Sequence, residues 1–221
     1  MRKIVVSEFM SLDGVIQAPG GKDEDTEGGF AYGGWTWPYW DDGIGAHFGE
    51  VMGESDAFLL GRKTWQIHGG AFEPMAPGDP FGDAMNAMPK YVVSTTLTDA
   101  SAWRNSTLIN RNVVEEVRAL KGQSGKNIVI DGSSVLIHTL AQNGLIDEYR
   151  LVVYPLVLGG GKKVFPDGVR LNLRLVEAQP LPSGVVLTHY TVERSADTSG
   201  SSLLLGEGLG VRSGDIVASA H

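Results

Sequence analysis

Asn127-Ile128-Val129-Ile130-Asp131-Gly132-Ser133-Ser134-Val135-Leu136 is the stretch on which the fold turns. Its first four residues are apolar and mostly β-branched, the signature of a short buried strand. Asp131-Gly132-Ser133 is turn chemistry. Val135 to Gln142 then reads as a helix, stopped by Asn143-Gly144. A strand that passes through a glycine turn straight into a helix is half of a βαβ unit, the building block of a parallel sheet. A second junction of the same kind lies upstream, where Ala57 to Leu60 runs into Gly61-Arg62-Lys63-Thr64-Trp65. A third strand, Lys90 to Ser94, ends in the polar turn Ser94-Thr95-Thr96.

The flanking sequence extends this pattern. Lys3 to Phe9 predicts a buried strand, broken by Ser11-Leu12-Asp13-Gly14. Ala18 to Gly34, rich in glycine and acids, predicts a long loop. It is followed by Trp35, Trp37, Tyr39 and Trp40, whose aromatic bulk suits a packed lid. Asp41 to Glu54 has helical spacing in Ile44, His47, Phe48 and Val51, with Asp41 or Asp42 as cap. A short helix near Phe81 to Met88, a short strand at Thr107 to Ile109 and a helix from Asn112 to Lys121 follow. Glu148 to Val153 predicts another strand. Leu171 to Ala178 and Val185 to Glu193 predict a terminal pair. The expected architecture is an α/β fold, its central sheet mostly parallel with antiparallel C-terminal edge strands. One domain is expected over residues 1–194, and residues 195–221 form a Ser/Gly/Ala-rich tail outside it.

Composition narrows the chemistry. The 221 residues contain no cysteine, which removes disulfides, thiolate nucleophiles and Cys-based metal sites. None of the five histidines pairs with a nearby acid at ligand spacing, so no metal is expected. The net charge is −8, and residues 1–60 hold 11 acids against 3 bases. No basic face suggests nucleic acid. No apolar run approaches the ~20 residues that span a bilayer, and no secretory leader is legible, so the expected location is the cytoplasm. The acids Asp23, Glu24, Asp25 and Glu27 sit among glycines and read as a solvated loop.

The two strand-to-helix junctions carry the candidate chemistry. A helix N-terminus offers unsatisfied N–H groups and the positive end of the helix dipole, which together attract phosphate. Arg62 adds a fork-shaped cation suited to phosphate oxygens, Lys63 a second cation, and Thr64 a hydroxyl. Gly132 allows close backbone approach, and Ser133 and Ser134 offer hydroxyls. The competing reading is that the serines merely cap the helix. There is no GxGxxG after the first strand, no GxxxxGK[ST], and no GxSxG elbow.

In order, the segments Met10-Ser11-Leu12-Asp13-Gly14-Val15-Ile16, Leu60-Gly61-Arg62-Lys63-Thr64-Trp65, Tyr91-Val92-Val93-Ser94-Thr95-Thr96, Val129 to Leu136, and Ile146-Asp147-Glu148-Tyr149 through Gly159-Gly160-Gly161-Lys162-Lys163-Val164-Phe165 resemble the dihydrofolate reductase superfamily. The resemblance covers residues 1 to about 193. It is strongest to the branch that holds the reductase domain of bacterial riboflavin biosynthesis. It implies a three-layer fold with an eight-stranded sheet that binds NADPH along its C-terminal edge. It also implies roles for particular residues. Gly61, Arg62, Lys63 and Thr64 would meet the adenosine 2′-phosphate and pyrophosphate, with Ser94 and Thr95 near the adenosine phosphate. Gly132, Ser133, Ser134, Val135 and Leu136 would cradle the pyrophosphate. Ile16 and the backbone of Phe9 would flank the nicotinamide. The family's tendency to pair through its late strands implies a homodimer, to which Leu203-Leu204-Leu205 of the tail would add contacts.

Two departures bear on the substrate. Dihydrofolate reductases carry Gly-Gly where this chain has Asp131-Gly132, and the acid that binds their pterin falls on Gly45 here. Asp42 is the nearby candidate proton donor, against its alternative use as a helix cap. Asp13 reads as a turn residue. The expected function is an NADPH-dependent reductase that passes hydride to a small heterocyclic or carbonyl substrate. The alternatives are 5-amino-6-(5-phosphoribosylamino)uracil reductase, for which Lys162 and Lys163 are the candidate sugar-phosphate cations, dihydrofolate reductase, and a non-catalytic nucleotide-binding module.

Overall fold

The computed structural model describes residues 1–194. The expected tail and its Leu203-Leu204-Leu205 lie outside the described residues. Eight strands form one sheet: β1 (Ile4–Ser11), β2 (Ser55–Gly61), β3 (Lys90–Val93), β4 (Ser106–Ile109), β5 (Asn127–Ile130), β6 (Glu148–Tyr154), β7 (Asn172–Pro180) and β8 (Val186–Glu193). Five helices accompany them: α1 (Asp42–Gly53), α2 (Arg62–Phe72), α3 (Pro80–Ala87), α4 (Val113–Gly122) and α5 (Ser134–Gln142). The strand order is β4-β3-β2-β5-β1-β6-β8-β7. Every pair from β4 to β6 is parallel, and β8 runs against both its neighbours. The expected mostly parallel sheet with an antiparallel C-terminal edge is therefore present.

The central strands are apolar throughout because both faces of the sheet are covered, and alternate residues serve opposite cores. Ala57 and Leu59 of β2, with Ile4, Val6, Ile128 and Ile130, pack with Val117 and Leu120 of α4 and Leu136, Ile137 and Leu140 of α5. Phe58, Leu60 and Val129 face the other way, toward Val51 of α1, Trp65 of α2 and Met85 of α3. Trp103 is fully buried in that second layer, where its Nε1 donates to Asn86 Oδ1 at 2.7 Å. The three layers are thus α4 and α5, the sheet, and α1 to α3.

A third core closes the β6–β8 side. Val15, Phe30, Trp35, Ile44, Tyr154 and Leu187 meet there. Trp35 and Tyr39 both pack edge-on against the Tyr154 ring, at 5.2 and 6.1 Å between centroids. These two aromatics are committed to packing. Trp37 and Trp40 remain exposed. The long loop from Ala18 to Gly34 is tied down along its length. Trp35 Nε1 donates to Gln17 O (2.8 Å), Thr36 Oγ1 to Pro19 O (2.7 Å), and the backbone N–H groups of Gly20 and Gly21 donate to Glu24 Oε2 (2.7 and 2.8 Å).

Asp13 is a turn residue, as its sequence context suggests. Its carboxylate accepts from Ser11 Oγ at 2.7 Å and from the Leu158 and Gly159 N–H groups at 3.1 and 2.9 Å, fastening the first turn to the segment after β6. Among the described residues no helix is long and apolar enough to cross a membrane, and no cluster of His, Asp and Glu is arranged to hold a metal ion.

Candidate functional site

β2 and β5 are direct neighbours and run parallel. The helices that follow them, α2 and α5, therefore begin side by side at the C-terminal edge of the sheet, where ligands of open α/β sheets bind. Two glycines let the turns close on one another. A Cβ on Gly61 would meet Ser133 Oγ at 2.1 Å and Ser133 Cβ at 2.4 Å. A Cβ on Gly132, whose φ is +93°, would meet Thr64 Cγ2 at 2.6 Å and Oγ1 at 2.8 Å. Each glycine thus makes room for a hydroxyl residue of the opposite turn. Ser133 itself has φ of 97°, a conformation costly for a residue with a Cβ.

The two helix starts are not capped. Asp41 caps α1 by accepting from Gly43 N–H at 2.9 Å, and Asp79 caps α3 by accepting from Gly82 N–H at 2.7 Å. At α2 the capping position is Gly61, and at α5 it is Ser133, and neither supplies a side-chain bond to the helix. The capping reading of Ser133 is thereby corrected: its left-handed backbone turns the hydroxyl toward Gly61 instead. The α4 helix also starts uncapped, on exposed Asn112, but it follows β4, the terminal strand on the far side of β3 from β2, and does not line the cleft that these turns form. The first-turn N–H groups of α2 and α5 keep their capacity to bind an anion.

These turns line one cleft of about 210 Å³. Of the residues expected in a cofactor site, Ile16, Arg62, Lys63, Thr64, Gly132, Ser133, Ser134 and Val135 line it. Gly61 forms the N-cap of α2 behind them. The other four lie outside the lining. Phe9 packs edge-on against Tyr154, and Leu136 is buried in the α5 core. Ser94 spends its Oγ on the Thr96 and Leu97 N–H groups, both at 3.1 Å, and Thr95 is exposed. Asp42 is exposed on the first turn of α1 and does not line the cleft.

The loop between Ala18 and Gly34 forms a further wall of the cleft through Ala18, Pro19, Glu24, Asp25 and Glu27. The loop is largely exposed, as at Asp23 and Glu27, but Asp25 is buried, and Asp25 and Glu27 both pair with lysines. Lys63 Nζ donates to Asp25 Oδ1 at 2.8 Å and to Glu27 Oε2 at 2.9 Å. Lys162 Nζ donates to Asp25 Oδ2 at 2.7 Å and also to Glu27. Gln17 Nε2 holds the same strap by donating to the Asp25 and Glu27 carbonyls, both at 3.0 Å. Burial alone would raise the Asp25 carboxyl, but the Lys162 and Lys63 hydrogen bonds outweigh it and hold it at about 2. The same lysine hydrogen bonds hold the Glu27 carboxyl below the usual carboxylate range. Arg62 is left as the cleft cation with no carboxylate partner among the described residues, its Nη1 donating only to Gln66 Oε1 at 2.9 Å.

Two further acids reach the cleft, Glu8 from β1 and Asp131 from the turn after β5. Glu8 Oε1 accepts from the Gly132 N–H at 2.7 Å. Burial, then the Asp131 charge, hold the Glu8 carboxyl well above the usual carboxylate range, against the Gly132 bond. Burial also raises Asp131, which has His68 Nε2 at 3.8 Å from its Oδ2. His68 Nδ1 is buried without a partner. A signal for Glu8 was present in the sequence: it shares the strand face of Ile4 and Val6, both fully buried, where a charge has no structural reason to stand.

The interlock of the turns predicts a specific pattern of coupling. Gly61 has an ordinary φ of −73°, so Gly61→Ala fails only through its clash with Ser133. The single substitution should destabilise the fold by about 1–3 kcal/mol. Adding Ser133→Gly removes both the clash and the strained backbone, and should restore the wild-type urea midpoint. Additive effects in that double-mutant cycle would mean the turns are independent.

Comparison with known proteins agrees with this architecture. The family model described as the RibD C-terminal domain matches residues 2–187. Among curated proteins, the chain is 32% identical over 193 residues to Uncharacterized protein YyaP of Bacillus subtilis, covering 86% of this chain and 94% of that one. Uncharacterized protein YwjB of the same organism is 26% identical over 190 residues, covering 86% and 97%. Among solved structures, a putative riboflavin biosynthesis protein from Shewanella sp. PV-4 superposes with a TM-score of 0.61 at 22% identity, covering 87% of this chain and 99% of that one. A pyrimidine reductase-like protein from Corynebacterium diphtheriae gives 0.58 at 13%, covering 87% and 92%. Dihydrofolate reductase from Enterococcus faecalis, complexed with NADP(H) and RAB-propyl, gives 0.56 at 16%, covering 87% and 97%. At these identities the structures speak for a dihydrofolate reductase-like fold alone. With the family model spanning the α2 and α5 turns and most of the sheet, the chain belongs to the RibD C-terminal domain family.

Proposed function

We propose that the chain is an NADPH-dependent reductase that passes hydride to a small heterocyclic or carbonyl substrate. The observation that carries this reading is the pair of uncapped helix N-termini, α2 and α5, opening on one cleft beside an unpaired Arg62. Membership of a reductase-type family supports it, as does the NADP(H) in the Enterococcus faecalis neighbour.

Nicotinamide nucleotides supply the hydride, and the protein's part is to bind, orient and exclude water. The first-turn N–H groups of α2 and α5, with the Thr64, Ser133 and Ser134 hydroxyls, are the donors for phosphate oxygens. Gly61 and Gly132 keep the backbone close. Arg62 is the group for an additional phosphate, because its guanidinium is committed to no acid. Ile16 supplies an apolar wall. Phe9, Ser94, Thr95, Val135 and Leu136 complete the proposed cofactor set at or behind the same edge. Asp42, exposed at the start of α1 outside the cleft lining, is the proposed proton donor.

One neighbour is named a riboflavin biosynthesis protein and another pyrimidine reductase-like, which bears on the alternative substrate 5-amino-6-(5-phosphoribosylamino)uracil. That substrate needs a free cation for its sugar phosphate in the cleft; Lys162 is spent on Asp25 and Glu27, and Lys163 is exposed and does not line the cleft. An uncharged heterocycle or carbonyl compound fits the cleft charges better.

The working unit we propose is a homodimer. β7 is an edge strand with Leu175 and Val176 half exposed, and an unpaired strand edge of this kind is a ready pairing surface. Light scattering should give twice the chain mass, and Val176→Lys with Leu175→Glu should halve it. A wild-type monomer would exclude the dimer.

The cofactor reading is tested by following nicotinamide fluorescence on titration with NADPH and NADH. Wild type should prefer NADPH. Arg62→Ala should weaken NADPH about 10- to 100-fold, the worth of a charge-assisted phosphate contact, and leave NADH nearly unchanged. NADPH-dependent turnover of any heterocycle or carbonyl would exclude a purely non-catalytic module. Equal losses for both nucleotides would remove Arg62 from the specificity role.

A further inference from the structure

The cleft holds more negative charge than a phosphate site should. Glu8, Glu24, Asp25, Glu27 and Asp131 all line it, against Arg62, Lys63 and Lys162. Asp25 and Glu27 are neutralised by Lys63 and Lys162. Glu24 is spent on the Gly20 and Gly21 N–H groups of its own loop. Glu8 and Asp131 have no such compensation. Among the described residues, neither has a Lys or Arg within ion-pair distance, and the nearest basic group is His68, 3.8 Å from Asp131.

Glu8 is also the more enclosed of the two, at 5% exposure on β1. Its single hydrogen-bond partner is the Gly132 N–H, on Oε1. That N–H belongs to the turn that faces the expected phosphates. The second oxygen of Glu8 has no partner among the described residues, although the side chain lines the cleft. A buried carboxylate without a cation is costly, and a ligand phosphate placed beside it adds a like charge at low dielectric. A protonated carboxyl removes both penalties and turns the free oxygen into a donor that an anionic oxygen can accept.

We propose that the Glu8–Asp131 carboxyl pair couples nucleotide binding to proton uptake: a phosphate-bearing nucleotide enters the cleft together with one proton from water, which Glu8 holds and shares as an O–H donor to an anionic oxygen of the ligand. Glu8 is on this account a specificity residue for the anionic, phosphate-bearing part of the ligand. The inference rests on the cofactor reading above and adds a proton to it. No bond to carbon changes in this step, and the proton returns to solvent when the nucleotide leaves.

The sign of the effect follows from linkage. Raising pH ionises Glu8 in the free protein, and binding must then restore its proton. Affinity therefore falls as pH rises through the range where Glu8 loses its proton, by up to about tenfold per pH unit. The strap does not contribute, because Asp25 is held at about 2. Lys63 does not contribute either, because its hydrogen bonds to Asp25 and Glu27 raise its ammonium further.

Isothermal titration with NADPH as the probe tests this, run at pH 7.5 to 8.5 in two buffers of different ionisation enthalpy. In that range the nucleotide's own phosphate, with a second ionisation near ~6, no longer titrates. Wild type should take up a measurable fraction of a proton per nucleotide bound, and its affinity should fall with pH. Glu8→Gln keeps the acceptor for Gly132 and should bind with no such uptake and a flat pH dependence. Asp131→Asn removes a charge that holds the Glu8 carboxyl up, so it should reduce the uptake and shift the fall in affinity to lower pH, which checks the pair if Glu8→Gln folds poorly. Wild-type binding without proton uptake overturns the inference while the cofactor reading stands. No binding of NADPH at any pH overturns both.

Discussion

Two glycines placed against two hydroxyl residues set the geometry of the site. Gly61 receives the Ser133 side chain and Gly132 receives the Thr64 side chain, so the turns after β2 and β5 mesh instead of splaying. The parallel pairing of β2 with β5 brings these turns together, and the layers of helices on both faces keep the pairing buried. The uncapped starts of α2 and α5 then converge on one cleft, and the proposed phosphate site depends on that convergence. A side chain at either glycine would push the helix starts apart. The strained φ of Ser133 is a local cost that the interlock over-determines.

The cleft's electrostatics depend on the loop that covers it. Lys63 and Lys162 come from different parts of the chain, and Asp25 and Glu27 bind both. The strap joins the α2 start to the glycine-rich segment after β6 and closes the cleft with balanced charge. Arg62 stands outside that balance, and Glu8 and Asp131 stand outside it with the opposite sign. The first suits an added phosphate, while the others make the same site sensitive to protons. Both properties come from which charges the strap leaves unpaired.

Much of this was legible in the sequence because it depends on local chemistry. The runs NIVI and AFLL are strands for lack of any polar face, and Asp41 and Gly144 mark helix ends by their own side-chain or backbone preferences. The turns at Gly61 and Gly132 are visible for the same reason. What was not legible depends on distant partners. Asp25 looks solvated among glycines, but its lysines lie 38 and 137 residues away along the chain. The role of Ser133 as a wedge instead of a cap depends on β2 lying next to β5, an adjacency no local pattern states. Asp42, chosen for its place near the start of a helix, stands outside the cleft because Asp41 takes the cap and turns Asp42 to solvent. Glu8 was readable as a charge on a buried strand face, and only its contact with Gly132 shows why it is there.

The central claim is that nucleotide phosphates bind across the meshed turns at the starts of α2 and α5. Amide chemical-shift mapping of the labelled protein during addition of NADPH tests it most directly. The account predicts the largest shifts at the backbone N–H groups of residues 62–64 and 132–136, with smaller changes along the strap. Shifts concentrated at another edge of the sheet, or none at saturating nucleotide, would contradict it.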